Sequence, residues 1–255
     1  MQIINRNILK IPNANLIDEL NLYIEPVDKN WKNRIKPSDK QSIDLLKEYL
    51  GMNQVNVNFP NSFINFCYFA GKYDGGLLST VLKGDFSIYE LIEFNKEIYD
   101  FYKEDLDPFN FEFLTDEVGM GYIIKQNNNV EIGIYYEGTC FISSSFEKLL
   151  FQCAVRLYEE KYFLEKICFG LNINLSKQSD GLIIFDKVRK ICQLYDLKEV
   201  WFNDDYFYFA YCDSFSIFLL NHVGIVGQIA GNDLQKIKDF SKKIETHIEI
   251  KMQIF

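Results

Sequence analysis

The sequence predicts an α+β protein in which helical stretches and strand meanders are grouped along the chain, not alternated one by one. Three observations predict it. Apolar residues recur at helical steps over 38–50, 60–70 and 86–105. Beyond Gly119 the apolar period drops to two, with Asn and Gly turn residues between short runs. The last third returns to the same succession of helix, strands and helix.

The elements follow in order. Residues 1–37 give a short apolar start and then a polar stretch marked by Pro12, Pro26 and Pro37. Pro37-Ser38-Asp39 is a helix entry with Ser38 or Asp39 as the N-cap. That helix carries Ile43, Leu45, Leu46, Tyr49 and Leu50 and stops at Gly51. Pro60 suits the first turn of a second helix bearing Phe63, Phe66, Cys67 and Phe69, closed by Gly71 and the pair Gly75-Gly76. A third helix covers Phe86–Asp105. Gly119–Lys125, Glu131–Tyr136 and Thr139–Ser143 read as strands separated by Asn127-Asn128-Asn129 and Glu137-Gly138. Ser144 or Ser145 caps a helix expected to run through Phe146, Leu149 and Leu150 and onward to Phe169. Phe185–Leu194 reads as a helix, and Glu199–Phe202, Tyr206–Tyr211, Phe215–Leu220 and Gly224–Ile229 as a strand meander. Gly231-Asn232-Asp233 opens a last helix through Ile237, Phe240 and Ile244. Three strands and a capped helix in each half hint at an internal duplication. The expected division is 1–158 and 159–255, with the halves packed together and no low-complexity linker between them.

Composition narrows the function. With 48% apolar and 25% charged residues over 255 positions, the chain can bury a core and is not disordered. It has no apolar run of about 18 residues and no signal-peptide pattern at its start, so a membrane role is not expected and a cytoplasmic location is. Cys67, Cys140, Cys153, Cys168, Cys192 and Cys212 are scattered without a CxxC pair and read as reduced thiols. A formal charge of −9 disfavours direct nucleic-acid binding and suits a basic protein partner.

That charge is local. Between Asp85 and Glu117 eleven carboxylates face two lysines, Lys96 and Lys103, a balance equal to that of the whole chain. On the helix, Leu91, Phe94, Ile98 and Phe101 mark the apolar face, widened by Ile88, Tyr99 and Tyr102. Glu90, Glu93, Glu97, Asp100 and Glu104 repeat at the same steps, in a sector roughly 80° wide at about 100° per residue. Like charges so spaced cost a helix ~0.2–0.5 kcal/mol per pair, so the stripe reads either as a solvated face or as a docking surface for a cation. Asp105, Asp107, Asp116 and Glu117 extend it into the following loop, with Tyr99, Tyr102 and Phe109 as candidate anchors.

One stretch resembles a known family. Trp31…Arg34-Ile35…Pro37-Ser38, Leu50-Gly51, Phe59-Pro60-Asn61-Ser62-Phe63-Ile64-Asn65-Phe66 and Gly75-Gly76 resemble the opening of the SUKH superfamily, relatives of a fungal regulator of cell-wall synthesis. Phe113–Tyr122 is similar to its acidic, glycine-containing entry into a β-meander, and Ser144–Leu150 to its terminal Ser-Phe-Glu helix. The resemblance spans about 30–155. Phe59 stands where Leu is usual, and Lys72-Tyr73-Asp74 precedes the glycines where Asn is usual. The resemblance implies a curved antiparallel or mixed sheet flanked by helices. It makes Pro60, Phe63, Phe66, Gly75 and Gly76 fold determinants, and implies no catalytic motif and no cofactor. Many bacterial members are similar to immunity proteins that neutralise a neighbouring toxin, often a nuclease; others resemble regulatory scaffolds.

Catalytic and metal motifs are not found at working spacing. His222 and His247 have no Cys or carboxylate at motif distance. Gly119-Met120-Gly121 and Gly224…Gly227 lack the rest of a nucleotide fingerprint, and Ser143-Ser144-Ser145 lacks a nucleophile-elbow frame. Asp204-Asp205 reads as a β-turn before a cation site. The expected function is therefore binding, without metal, cofactor or reaction, of a cognate basic toxin domain. A regulatory scaffold stays open, as does an enzyme or small-ligand binder using a pocket between the halves, and oligomeric state is open too.

Overall fold

The computed structural model describes residues 6–9, 15–102, 107–171, 178–221, 224–249 and 252–254. The fold is α+β and, among the described residues, contains two antiparallel sheets, of five and six strands. The chain divides into two compact units, Asn13–Ala154 with Met1–Asn5, and Val155–Phe255 with Arg6–Pro12.

The first unit opens with α1 (Leu16–Ile24), where the Asn15 side chain accepts from the Asp18 N–H. The single turn α2 (Trp31–Arg34) buries Trp31. α3 (Lys40–Tyr49) is capped by Asp39, not Ser38, the carboxylate accepting from the Ser42 N–H at 2.8 Å. α4 (Asn61–Ala70) follows Pro60 and buries Phe63 and Phe66. Neither α1 nor α2 shows in the sequence periodicity, because each is short and lies in the proline-marked stretch.

Asp74 organises what comes next. It has no solvent exposure. Its Oδ1 accepts from the Gly76 N–H (2.8 Å) and the Ser79 hydroxyl (3.1 Å), its Oδ2 from the N–H groups of Leu78 (2.5 Å) and Ser79 (3.1 Å). These donors belong to the otherwise unsatisfied start of α5 (Leu77–Leu82). The Trp31 indole N–H donates to the Asp74 carbonyl at 3.3 Å. Gly75 has φ +69°, and a Cβ there would lie 2.7 Å from the Trp31 ring, so glycine is required twice over. The glycine pair thus opens a helix where the sequence suggested only a closing turn.

From α5 the chain enters β1 (Gly84–Asp85), then α6 (Ile88–Tyr102). β2 (Asn110–Asp116), β3 (Gly121–Asn127), β4 (Val130–Tyr136) and β5 (Cys140–Ser143) follow, and the sheet runs in the order β1-β2-β3-β4-β5. The core beneath is aromatic. Phe63 has ring centroids 5.2–5.3 Å from Phe59, Phe111 and Phe146, and Phe146 lies 5.4 Å from Phe113. Edge-on pairs of this kind each add ~0.5–1.5 kcal/mol beyond area burial.

α7 (Phe146–Tyr162) begins with Ser145 as cap, its Oγ accepting from the Lys148 N–H at 3.2 Å. Glu131 of β4 accepts from the Phe146 N–H at the same helix start. Burial pushes the Glu131 carboxyl up to about 7, against the opposing Phe146 hydrogen bond and with Glu147 adding to the rise.

α7 stops at Tyr162, and the segment read as its continuation to Phe169 is β6 (Glu165–Leu171). Ile167, Phe169 and Leu171 alternate inward, a period of two placed directly against a helical run. The second unit continues with α8 (Gln178–Leu194), β7 (Lys198–Glu199), β8 (Phe207–Tyr211), β9 (Phe215–Asn221), β10 (Ile225–Gly231), α9 (Leu234–Ile248) and β11 (Met252–Ile254). Its sheet order is β11-β6-β10-β9-β8-β7. α8 and α9 supply Phe185, Val188, Ile237, Phe240 and Ile244 to one apolar cluster with Phe169, Tyr208, Ile217 and Ile229. The Asp233 side chain caps α9 from the Gln235 and Lys236 N–H groups. The first sheet follows chain order, whereas the second places β6 beside β10, so the stretches β1–α7 and β6–α9 share their sequence of elements but not their sheet order.

Asp74→Ala should cost ~2–4 kcal/mol in urea unfolding, and Asp74→Asn about half as much, since one accepting oxygen remains; equal small losses would show that the carboxylate does not hold α5. For Glu131, a folded pKa above its ordinary 4.5 means the folded state binds more protons between about pH 4.5 and 7. Stability then falls as pH rises through that window and levels above it. Glu131→Gln should flatten the slope and stabilise the protein above pH 7 by on the order of 2 kcal/mol, read from urea midpoints at pH 5, 6, 7 and 8.

Candidate functional site

The end of α5, β1, the start of α6 and the end of β2 enclose a cleft of about 750 Å³ in the first unit. α5 brings Ser79 and Thr80 to it, and Lys83 follows as the helix C-cap in a left-handed conformation. The Lys83 carbonyl accepts from the Glu117 N–H at 2.8 Å. Gly84 pairs with Asp116 and Asp85 with Thr115, fixing the two-residue strand β1 to the end of β2. A Cβ at Gly84 would lie 2.0 Å from the Thr115 carbonyl oxygen, so only glycine allows this approach. α6 then turns Glu90, Leu91 and Phe94 into the cleft.

The charge of the lining is one-sided. Asp85, Glu90, Asp116 and Glu117 stand against the single ammonium of Lys83. Glu90 sits in the first turn of α6, where the helix dipole favours an anion. The Asp116 carboxylate accepts the Tyr136 hydroxyl at 2.6 Å and the N–H groups of Val118 (3.0 Å) and Met120 (2.9 Å). The Tyr136 hydrogen bond first, then that of the Met120 N–H, hold its carboxyl below the usual range. The same bond pushes the Tyr136 phenol up to about 12. Asp116 is therefore a fixed anion, and Leu91 beside it is buried while Phe94 is 49% exposed.

The exposure of Phe94 corrects the facing of α6. The sequence placed Phe94 on the buried stripe, but the helix buries Ile88, Leu91, Ile92 and Asn95. Asn95 turns inward because its amide donates to the Leu91 carbonyl at 2.8 Å, satisfying one buried donor locally. Phe94 is left facing solvent beside Glu90.

Of the carboxylates singled out in the sequence, Glu90, Asp116 and Glu117 converge in the cleft. Glu93 is exposed on α6 but does not line it. Asp107 caps a turn, accepting from the Phe109 N–H and the Asn110 amide. Glu104 and Asp105 lie outside the described residues, as do the side chains of Glu97, Asp100 and Tyr102. Tyr99 packs edge-on against Tyr49 at 5.7 Å and Phe109 is half-buried. Lys83, Asp85 and Phe94 were missed as site residues; Asp85 was visible in the acidic count, but its convergence with Glu117 depends on the pairing of β1 with β2. Pro60 stands immediately before α4, Phe63 and Phe66 are fully buried, and Gly75 and Gly76 both take positive φ.

Other chemistry is sparse. Among the described residues no group of three His, Cys, Asp or Glu side chains is placed to hold a metal ion. His247 is exposed on α9, and His222 lies outside the described residues. Asp204 accepts from the Tyr206 and Phe207 N–H groups as a turn residue. None of the six cysteines forms a disulfide, and burial raises the thiols of Cys67 and Cys192. No helix among the described residues is long and apolar enough to cross a membrane. No protein-family model, curated protein or solved structure matches this chain. The cleft can bind a cation and lay an apolar surface beside it.

Tyr136→Phe should raise the Asp116 pKa toward the ordinary carboxylate range without unfolding the chain. Carboxylate carbon NMR against pH reads this directly; an unmoved Asp116 titration would mean that the backbone N–H groups alone set it.

Proposed function

We propose that the protein acts by binding a basic protein, as an immunity protein of SUKH type that neutralises a cognate cationic toxin domain in the cytoplasm. The observation that carries this reading is the cleft itself, with four carboxylates, one lysine and an exposed phenylalanine in one depression. The SUKH-like opening and meander of the sequence point the same way. A nuclease domain is a fitting target, because an enzyme that holds phosphate must present a basic surface. Opposite charge speeds encounter, and a partly exposed aromatic that becomes desolvated on docking holds the complex. In this reading the protein performs no reaction and needs no cofactor; it occludes the toxin's basic surface.

The test is capture of the product of the adjacent open reading frame from co-expressing cells, followed by affinity measurement. Glu90→Lys with Glu117→Lys should weaken capture ~10–100-fold and reduce its salt dependence, while Glu93→Lys, outside the cleft, should change it less than about threefold. Capture unaffected by the double reversal contradicts the cleft as the docking surface. The absence of any toxic, basic neighbour contradicts the immunity role.

A further inference from the structure

The second unit holds a guanidinium in an enclosed cage. Arg6 is 9% exposed, and its Nη2 donates to Glu159 Oε2 at 2.8 Å. Its Nη1 donates to the Cys212 carbonyl at 2.8 Å, and the Tyr211 hydroxyl donates back to the Arg6 carbonyl at 2.7 Å. Three rings surround the cation: Tyr162, Phe163 and Tyr211 have centroids 4.8, 4.9 and 5.3 Å from the guanidinium carbon.

The cage is built by the unit, not by its occupant. Glu159 is 1% exposed on α7, and Ser216 of β9 donates its hydroxyl to the same Oε2 at 2.9 Å. The acceptor is therefore aimed by a side chain that owes nothing to Arg6. Leu9 of the segment Arg6–Leu9 is fully buried, so the segment brings an apolar side chain to the unit as well as the cation. That segment is one 3-10 turn, held by Arg6, by the buried Leu9 side chain and by the Leu9 carbonyl, which accepts from the Trp201 N–H at 3.3 Å.

The chemistry is that of arginine reading. A planar cation stacks on several ring faces while its edge meets a carboxylate and a carbonyl; a lysine ammonium offers neither the plane nor the fork. Arg6 Nε makes no hydrogen bond, so the occupant does not exhaust its own donors. A buried ion pair adds little net stability over apolar packing, so the cage is not explained by stability alone.

We propose that this cage is an arginine-recognition site of the second unit, filled in cis by Arg6, and that an arginine borne by another polypeptide enters it when Arg6–Leu9 withdraws. The site takes a peptide segment with an arginine followed by an apolar residue three positions on, the pattern of Arg6 and Leu9. It lies in the second unit, and it stands independently of the acidic cleft and of the partner proposed for that cleft.

The test uses the full chain and a labelled peptide of residues 2–10. Fluorescence anisotropy should show saturable binding of this peptide to the wild-type chain and at least tenfold tighter binding to the Arg6→Lys variant, whose own segment holds the cage less well. The same peptide with lysine in place of arginine should bind at least tenfold more weakly, and Glu159→Gln should abolish selectivity between the two. In Arg6→Ala, N-ethylguanidinium should raise the melting temperature saturably at millimolar concentration, and ethylammonium at matched ionic strength should not. No saturable peptide binding to either wild type or Arg6→Lys, or equal effects of the two cations, would overturn the proposal and leave Arg6–Glu159 as a fixed structural pair.

Discussion

The buried carboxylate of Asp74 carries the arrangement on which the first unit depends. Its two oxygens take four hydrogen bonds from residues 76–79, and its carbonyl takes the indole of Trp31. A six-residue helix is too short to be stable by propensity, and its start is satisfied here by one side chain. Because α5 is fixed at its beginning, its end is fixed too. Lys83 closes it, Gly84 and Asp85 pair with the end of β2, and α6 leaves from there. The cleft is the space left among these ends, so its shape follows from a cap on the far side of a single short helix.

Charge then gives that space a character. The carboxylates gathered there are held in different ways: Asp116 by a tyrosine and two amides, Glu90 by the field of a helix start, Asp85 and Glu117 by paired backbone. A surface that gathers like charge and leaves an apolar ring in water stores an unfavourable arrangement that a basic, partly apolar partner relieves. Four of the chain's carboxylates, Asp85, Glu90, Asp116 and Glu117, thus line one depression.

Much of this was legible beforehand, and the gaps have physical causes. The helices at 40–49, 61–70 and 234–248 were visible because their caps and stops are chemical: Asp39, Pro60 and Asp233. Strands β3, β4, β5, β8, β9 and β10 were visible from their period and their Asn and Gly turns, whereas β2 was not read as a strand and the run 199–202 is only the two-residue β7. α5 was hidden because its signal is the reach of Asp74 to residues four and five positions on, across two glycines. β6 was hidden because no glycine or proline separates it from α7, only a change of period near Leu164. β1 is two residues long and exists only through its partner strand. The facing of α6 was misread by hydrophobicity alone: Phe94 and Asn95 exchange their expected places once Asn95 bonds the turn behind it. The acidic residues were countable, but bringing 85 and 90 beside 116 and 117 is an act of tertiary structure.

The most direct test of the acidic cleft as the docking surface is site-specific photocrosslinking. A benzoylphenylalanine placed at Phe94, and separately at Leu194 of the second unit, which is 79% exposed, is irradiated in cells producing the adjacent reading frame's product. The account predicts a crosslink to that basic protein from position 94 and none from position 194. A crosslink from position 194 alone would contradict it and move the docking surface to the second unit.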